Sequence, residues 1–263
     1  METIKSINIK LSTEAIGIII ASFLTIRQVQ VNDKIISSQI QKINDQHAKF
    51  ITFCRDTKSL SNALVNYSND ILSTVKVIEE KNFKGEDLVD FLNSLLSAAR
   101  ENKTKSENYE SQINQIQNNL EGIIEELFKY RDEISKDIKN IESDTKEKLL
   151  AVIARKVISV ITTIAPIITE TAGNTNTELK DEREEFVNAI KKELDKITIN
   201  ISHIVTHWEE QVNYLEALEV NIDKLEKGQS SLNMFKTKAI SKDANEIKEK
   251  ALKYNRIMNY QVD

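Results

Sequence analysis

The sequence predicts an all-α protein, an elongated bundle of about five long amphipathic helices, and three observations carry that expectation. The chain has only five glycines and one proline in 263 residues, where an average protein carries about 12% of the two together. Sheets, Rossmann units and barrels need a turn roughly every 8 to 15 residues and lean on those residue types, with Asn and Asp, to make it. Apolar residues recur at alternating steps of four and three over very long stretches, which places them on one face of a helix. No repeat of a length that would mark a solenoid is visible. The reading is therefore one elongated helical domain over residues 1–263, with an apolar, tongue-like segment at 149–173 inside it.

The N-terminal apolar run Ala15 to Ile26 follows Glu2 and Glu14 and has no small-x-small site before Arg27, so it reads as part of the mature fold and not as a secretion signal. Its large apolar side chains include Ile16, Ile18, Ile19, Ile20, Phe23 and Leu24. Ile7, Ile9 and Leu11 just before it alternate with polar residues in a strand-like period of short extent. A long stripe follows at Ile36, Ile40, Ile43, His47, Phe50, Cys54, Leu60, Leu64, Tyr67, Ile71, Val75 and Ile78. Asn32 or Asp33 can cap its start, and the cluster Asn82 to Gly85 ends it. Glu86 and Asp87 suit the N-terminal dipole of the next helix, whose stripe includes Leu92, Leu95, Ala99, Ile113, Ile116, Leu120, Leu127 and Ile134. A matching stripe from Phe186 through Leu194, Ile201, Trp208 and Leu215 to Leu225 predicts an antiparallel hairpin of two long helices. A last, shorter and basic helix is expected from about Ser231 to Tyr260, after a break at Gly228.

Composition excludes several functions. With Lys+Arg 36 against Asp+Glu 41 and a formal net charge of -5, no global basic surface for nucleic acid exists. The lone Cys54 allows no internal disulfide, and the scarcity of glycine leaves no phosphate-binding loop. His203 and His207 stand one turn apart and could begin a zinc site, but HIVTH lacks the metalloprotease glutamate and a third ligand. Both are expected at the boundary of a helix pair, and His47 and Cys54 are expected in the core. No catalytic residue, metal or cofactor is predicted, and no enzyme activity.

Function is carried by Leu149 to Ile168, LLAVIARKVISVITTIAPII, which has charges only at Arg155 and Lys156. As a helix it would be about 30 Å long, the thickness of a bilayer's hydrocarbon core. Its eleven Leu, Ile and Val residues are Leu149, Leu150, Val152, Ile153, Val157, Ile158, Val160, Ile161, Ile164, Ile167 and Ile168. They contribute roughly -3 to -7 kcal/mol of insertion energy, while two central cations cost about +5 to +7 kcal/mol. The sum lies near zero, so the segment stays in water when covered and enters lipid only with help from neighbours. Arg155, Ser159, Thr162 and Pro166 follow one another at helical spacing and form a polar seam along one face. That seam can face water before insertion and line a pore afterwards. The apolar run Ala15 to Ile26, the chain's other surplus of apolar surface, is a natural cover.

A helix of about 50 residues, a second long helix, the segment LLAVIARKVISVITTIAPII, a third long helix and a shorter tail together resemble the cytolysin A (hemolysin E) superfamily of α-helical pore-forming toxins, which includes the hemolysin BL type of enterotoxin component. The resemblance implies a secreted toxin that binds a target-cell membrane, inserts Leu149 to Ile168 as a tongue and Ala15 to Ile26 within an N-terminal pore helix, and oligomerises with itself or related pore components, with hemolysis as an outcome. This segment is rich in Ile and Val where the family's tongues tend to Gly and Ala, which weighs against a β-hairpin tongue and leaves a helical one. The alternative is a cytoplasmic coiled-coil scaffold with no membrane activity, in which the apolar segment is plain core.

Overall fold

The structure, a computed structural model, describes residues 9–27, 32–79, 85–139, 151–153, 155, 157, 179–219 and 237–262. Among the described residues there is no strand. The helices are α1 (Ile9–Ile26), α2 (Lys34–Glu79), α3 (Gly85–Lys139), α4 (Leu179–Glu219) and α5 (Thr237–Val262). Ile9 and Leu11, which alternate like a strand in sequence, lie in the first turn of α1. The 46 residues of α2 and 55 of α3 correspond to roughly 70 and 80 Å of helix at about 1.5 Å per residue. Ends are few because residues that end helices are few.

The start of α2 is capped by a side chain. Of the two capping candidates the structure uses Asp33, whose Oδ1 accepts from the backbone N–H groups of Ile35 and Ile36 at 2.9 Å each, satisfying two of the donors that the first turn of a helix leaves unpaired. Its Oδ2 accepts from the Tyr130 hydroxyl of α3 at 2.8 Å. One carboxylate thus caps α2 and ties it to α3. Asp33→Ala is expected to lower stability by about 1–2 kcal/mol, read from the midpoint of urea unfolding.

The chain divides into two compact units. The first comprises Met1–Thr13, Cys54–Ser111 and Thr198–Asp263, and the second Glu14–Phe53 and Gln112–Ile197. In the first unit, Leu64, Tyr67, Leu92, Leu95, Leu96, Ala99, Trp208, Leu215, Ile247 and Ala251 form one buried cluster drawn from α2, α3, α4 and α5. Arg100 pairs with Glu216, Lys103 with Glu209, and Glu110 with the Ser202 hydroxyl. Partner numbers fall as the others rise, so α3 and α4 run antiparallel here, as the matching stripes predict. The ion pairs are solvent-exposed and contribute about 0–1 kcal/mol each; they set register more than stability.

Helix α5 lies along α2 in the same unit. The hydroxyls of Thr57 and Tyr254 meet at 2.6 Å, the Ser61 hydroxyl donates to the Ala251 carbonyl at 2.8 Å, and Asn255 donates to Asn62 at 2.7 Å. Two further buried hydroxyls bond within their own helix: Ser68 donates to the Leu64 carbonyl and Ser106 to the Asn102 carbonyl. Such bonds let a polar side chain sit in an apolar seam without the desolvation cost of an unpaired group.

In the second unit, α2 and α3 also run antiparallel. Asp33 meets Tyr130, Gln39 and Lys42 both reach the Glu126 carboxylate at 2.7 Å, and Gln46 accepts from Asn119 at 3.1 Å. The Lys42 ammonium and Gln39 amide hold the Glu126 carboxyl below its usual range. Along the same two helices Ile36, Ile43, Phe50 and Phe53 of α2 and Ile116, Leu120, Ile123, Ile124, Leu127 and Phe128 of α3 are all buried. Arg131 is itself buried, with its guanidinium 4.6 Å from the centre of the Phe128 ring, a cation–π arrangement that offsets part of its desolvation.

Candidate functional site

Both apolar runs singled out from the sequence belong to the second unit. Within α1, Ala15, Ile16, Ile19, Phe23 and Ile26 are buried, the spacing of a single helical face. Leu24 is 47% exposed, and Ile18 and Ile20 are half-buried. The helix therefore carries more apolar surface than its packed face uses.

Its seat is aromatic. The Phe23 ring stacks on the His47 imidazole of α2 with centroids 5.0 Å apart, and the Phe50 ring lies 6.0 Å away. His47 is buried, as expected of a residue on the apolar stripe, and its Nε2 has no hydrogen-bond partner. Burial, with Arg27 nearby, holds the imidazole pKa below its ordinary value. The sequence marks His47 as core without showing that α1 rests on it. The signal lay in its place between Ile43 and Phe50, a titratable ring in an otherwise apolar row.

Of the segment Leu149 to Ile168, residues 151–153, 155 and 157 fall within the described part, and they are helical. Val157 is fully buried, Val152 is 48% exposed, Arg155 is exposed, and Ala151 and Ile153 are intermediate. Arg155 thus faces solvent together with Val152 three residues before it, and Val157 points inward. The remaining residues assigned to insertion or to the seam, Leu149, Leu150, Ile158, Ser159, Val160, Ile161, Thr162, Ile164, Ile167 and Ile168, lie outside the described residues, as does most of the contact expected between α1 and this segment. Among the described residues no helix is long and apolar enough to cross a membrane.

No group of three or more metal-ligating side chains exists among the described residues. His203 is half-exposed, as a boundary residue should be. His207 departs from that expectation: it is buried beside Trp208, with ring centroids 5.3 Å apart, and neither ring nitrogen has a partner. Burial lowers its pKa to about 4, against the opposing pull of Glu210. Stability therefore has an acid limb, complete above pH 6.5 and lost as the pH falls through about 4. Urea midpoints followed by circular dichroism are expected to fall across that window, and His207→Phe to flatten the fall. Cys54 is buried and its thiol pKa is pushed up by burial, so it is an inert core residue.

No protein-family model matches the chain, and no curated protein does. Among solved structures it is similar to the soluble AhlC of the tripartite alpha-pore forming toxin AHL from Aeromonas hydrophila, with a TM-score of 0.40 and 12% identity, over 92% of this chain and 97% of that one. The AhlC triple head mutant from the same toxin is similar at a TM-score of 0.31 and 10% identity, over 92% of this chain and 98% of that one.

Proposed function

We propose that the protein is an α-pore-forming, toxin-like protein that binds a target membrane, inserts Leu149 to Ile168 together with α1, and oligomerises. The observation that carries this reading is the composition of that segment: eleven large aliphatic residues with cations only at Arg155 and Lys156. Its transfer to lipid lies near balance, within a few kcal/mol of zero. A plain core helix has no need of such a balance. The surplus apolar surface of α1, where Leu24 is exposed and Ile18 and Ile20 are half-buried, supports the same reading.

In the mechanism proposed, contact with lipid uncovers the segment, and several copies assemble so that the face of Arg155, Ser159 and Thr162 turns toward an aqueous lumen. Polar and charged groups in a bilayer are tolerated where they line water or pair with one another. The partners are thus a lipid membrane and further copies of this chain or related components. Mixing the purified protein with dye-loaded liposomes tests the reading: concentration-dependent release is expected, and intact liposomes at every pH and lipid composition would count decisively against it.

A further inference from the structure

We propose that His47 is an acid-sensitive latch for α1: its neutral ring seats the helix through Phe23, and protonation of the ring releases it. The Phe23 ring of α1 lies on the imidazole at 5.0 Å with an interplanar angle of 28°, and Phe50 closes the group at 6.0 Å from Phe23. The imidazole Nε2 is buried with no acceptor in reach. A proton added there creates a buried N–H with no acceptor and a buried positive charge whose attraction to the Phe23 ring offsets only part of its desolvation, so both disfavour the seated state.

The surrounding charges act in the same direction. Among the described residues the charged group that acts on His47 is Arg27 at the end of α1, and it opposes a second cation; no acid among them raises the pKa. Phe23 and Phe50 bring no charge. The adjoining contact between α2 and α3, Gln46 with Asn119, is a neutral amide pair. Protonation thus places an imidazolium against the Arg27 end of α1, and moving α1 away relieves both the repulsion and the desolvation. With the folded pKa depressed, the seated state is favoured fully above the ordinary histidine value of 6.5 and progressively lost as the pH falls below it.

The latch matters to membrane insertion only if the proposed function holds, but it can be tested without lipid. Ser22 on α1 is 7% exposed, and Ser22→Cys is close to isosteric. Reaction of the introduced thiol with 4,4′-dithiodipyridine, normalised to the urea-unfolded protein at the same pH, reads whether α1 is seated. Buried Cys54, which belongs to the other unit, reports global unfolding in the same sample. Between pH 7 and pH 5, reactivity of the α1 thiol is expected to rise about tenfold or more while Cys54 stays protected. His47→Phe, which keeps a ring and removes the titration, is expected to abolish the rise, with His47→Gln as a second variant should the larger ring perturb folding. His207→Phe in the Ser22→Cys background is expected to leave the rise intact. A flat profile for the α1 thiol, a rise that persists in both His47 variants, or simultaneous opening of Cys54 would overturn the latch. Liposome leakage measured separately keeps its failure distinct from failure of the pore-forming reading.

Discussion

Replacing Ile158 and Ile161 together with glutamate is expected to abolish dye release from loaded liposomes while the protein in solution stays helical and folded. The wild-type segment lies near zero in transfer free energy. Removing two isoleucines and adding two carboxylates makes insertion less favourable by roughly 6 to 8 kcal/mol, taking each new charge at about 2.5–3.5 kcal/mol. At about 1.4 kcal/mol per decade that is roughly four to six orders of magnitude in partitioning, beyond what assembly of a few copies restores. Far-UV circular dichroism and thermal unfolding of the same variant decide what a loss of leakage means. A folded, non-lytic protein supports insertion of the segment. Collapse of the soluble fold would instead identify these two residues as core and favour the scaffold reading.

The second large effect is on stability. Trp208 is fully buried, meets Tyr67 edge-on at 4.9 Å between ring centres, and joins α2, α3, α4 and α5 in one cluster. Trp208→Ala is expected to cost about 3–5 kcal/mol, the lost transfer energy plus the cavity left behind, a large part of the roughly 5–15 kcal/mol that holds a folded protein together. Trp208→Phe is expected to cost much less, about 1–2 kcal/mol. The indole N–H has no hydrogen-bond partner, so its removal leaves nothing newly unsatisfied. Urea titrations followed by circular dichroism measure both, since this is the chain's only tryptophan and its fluorescence goes with it.

The stripe through Ile36, Ile43, Phe50, Cys54, Leu60, Leu64 and Tyr67 is buried as predicted, and the antiparallel pairing of α3 with α4 follows from their matching stripes. Ile40, on the same predicted stripe, is only half-buried, while Gln39 beside it is buried because its amide reaches the Glu126 carboxylate. Hydrophobic periodicity has no term for a hydrogen bond formed with a residue 87 positions away. His207, expected at the boundary of a helix pair, is buried for a related reason. It flanks the apolar stripe of α4, but it is packed beside Trp208 inside the unit. Two adjacent residues can both be buried when a helix has neighbours on more than one side.

By itself the sequence determined the all-α class, the length of the helices and the near-balance of Leu149 to Ile168 between water and lipid. Each of these is a property of the chain's local order: rare turn formers, a helical period, and a sum of transfer energies that needs no neighbours. Only the tertiary structure decided that Asp33 and not Asn32 caps α2, that Phe23 seats α1 on His47, and that His207 is enclosed. Periodicity states which side chains share a face, whereas contact depends on which helix lies against that face and at what register, and those are fixed by packing between segments distant in sequence.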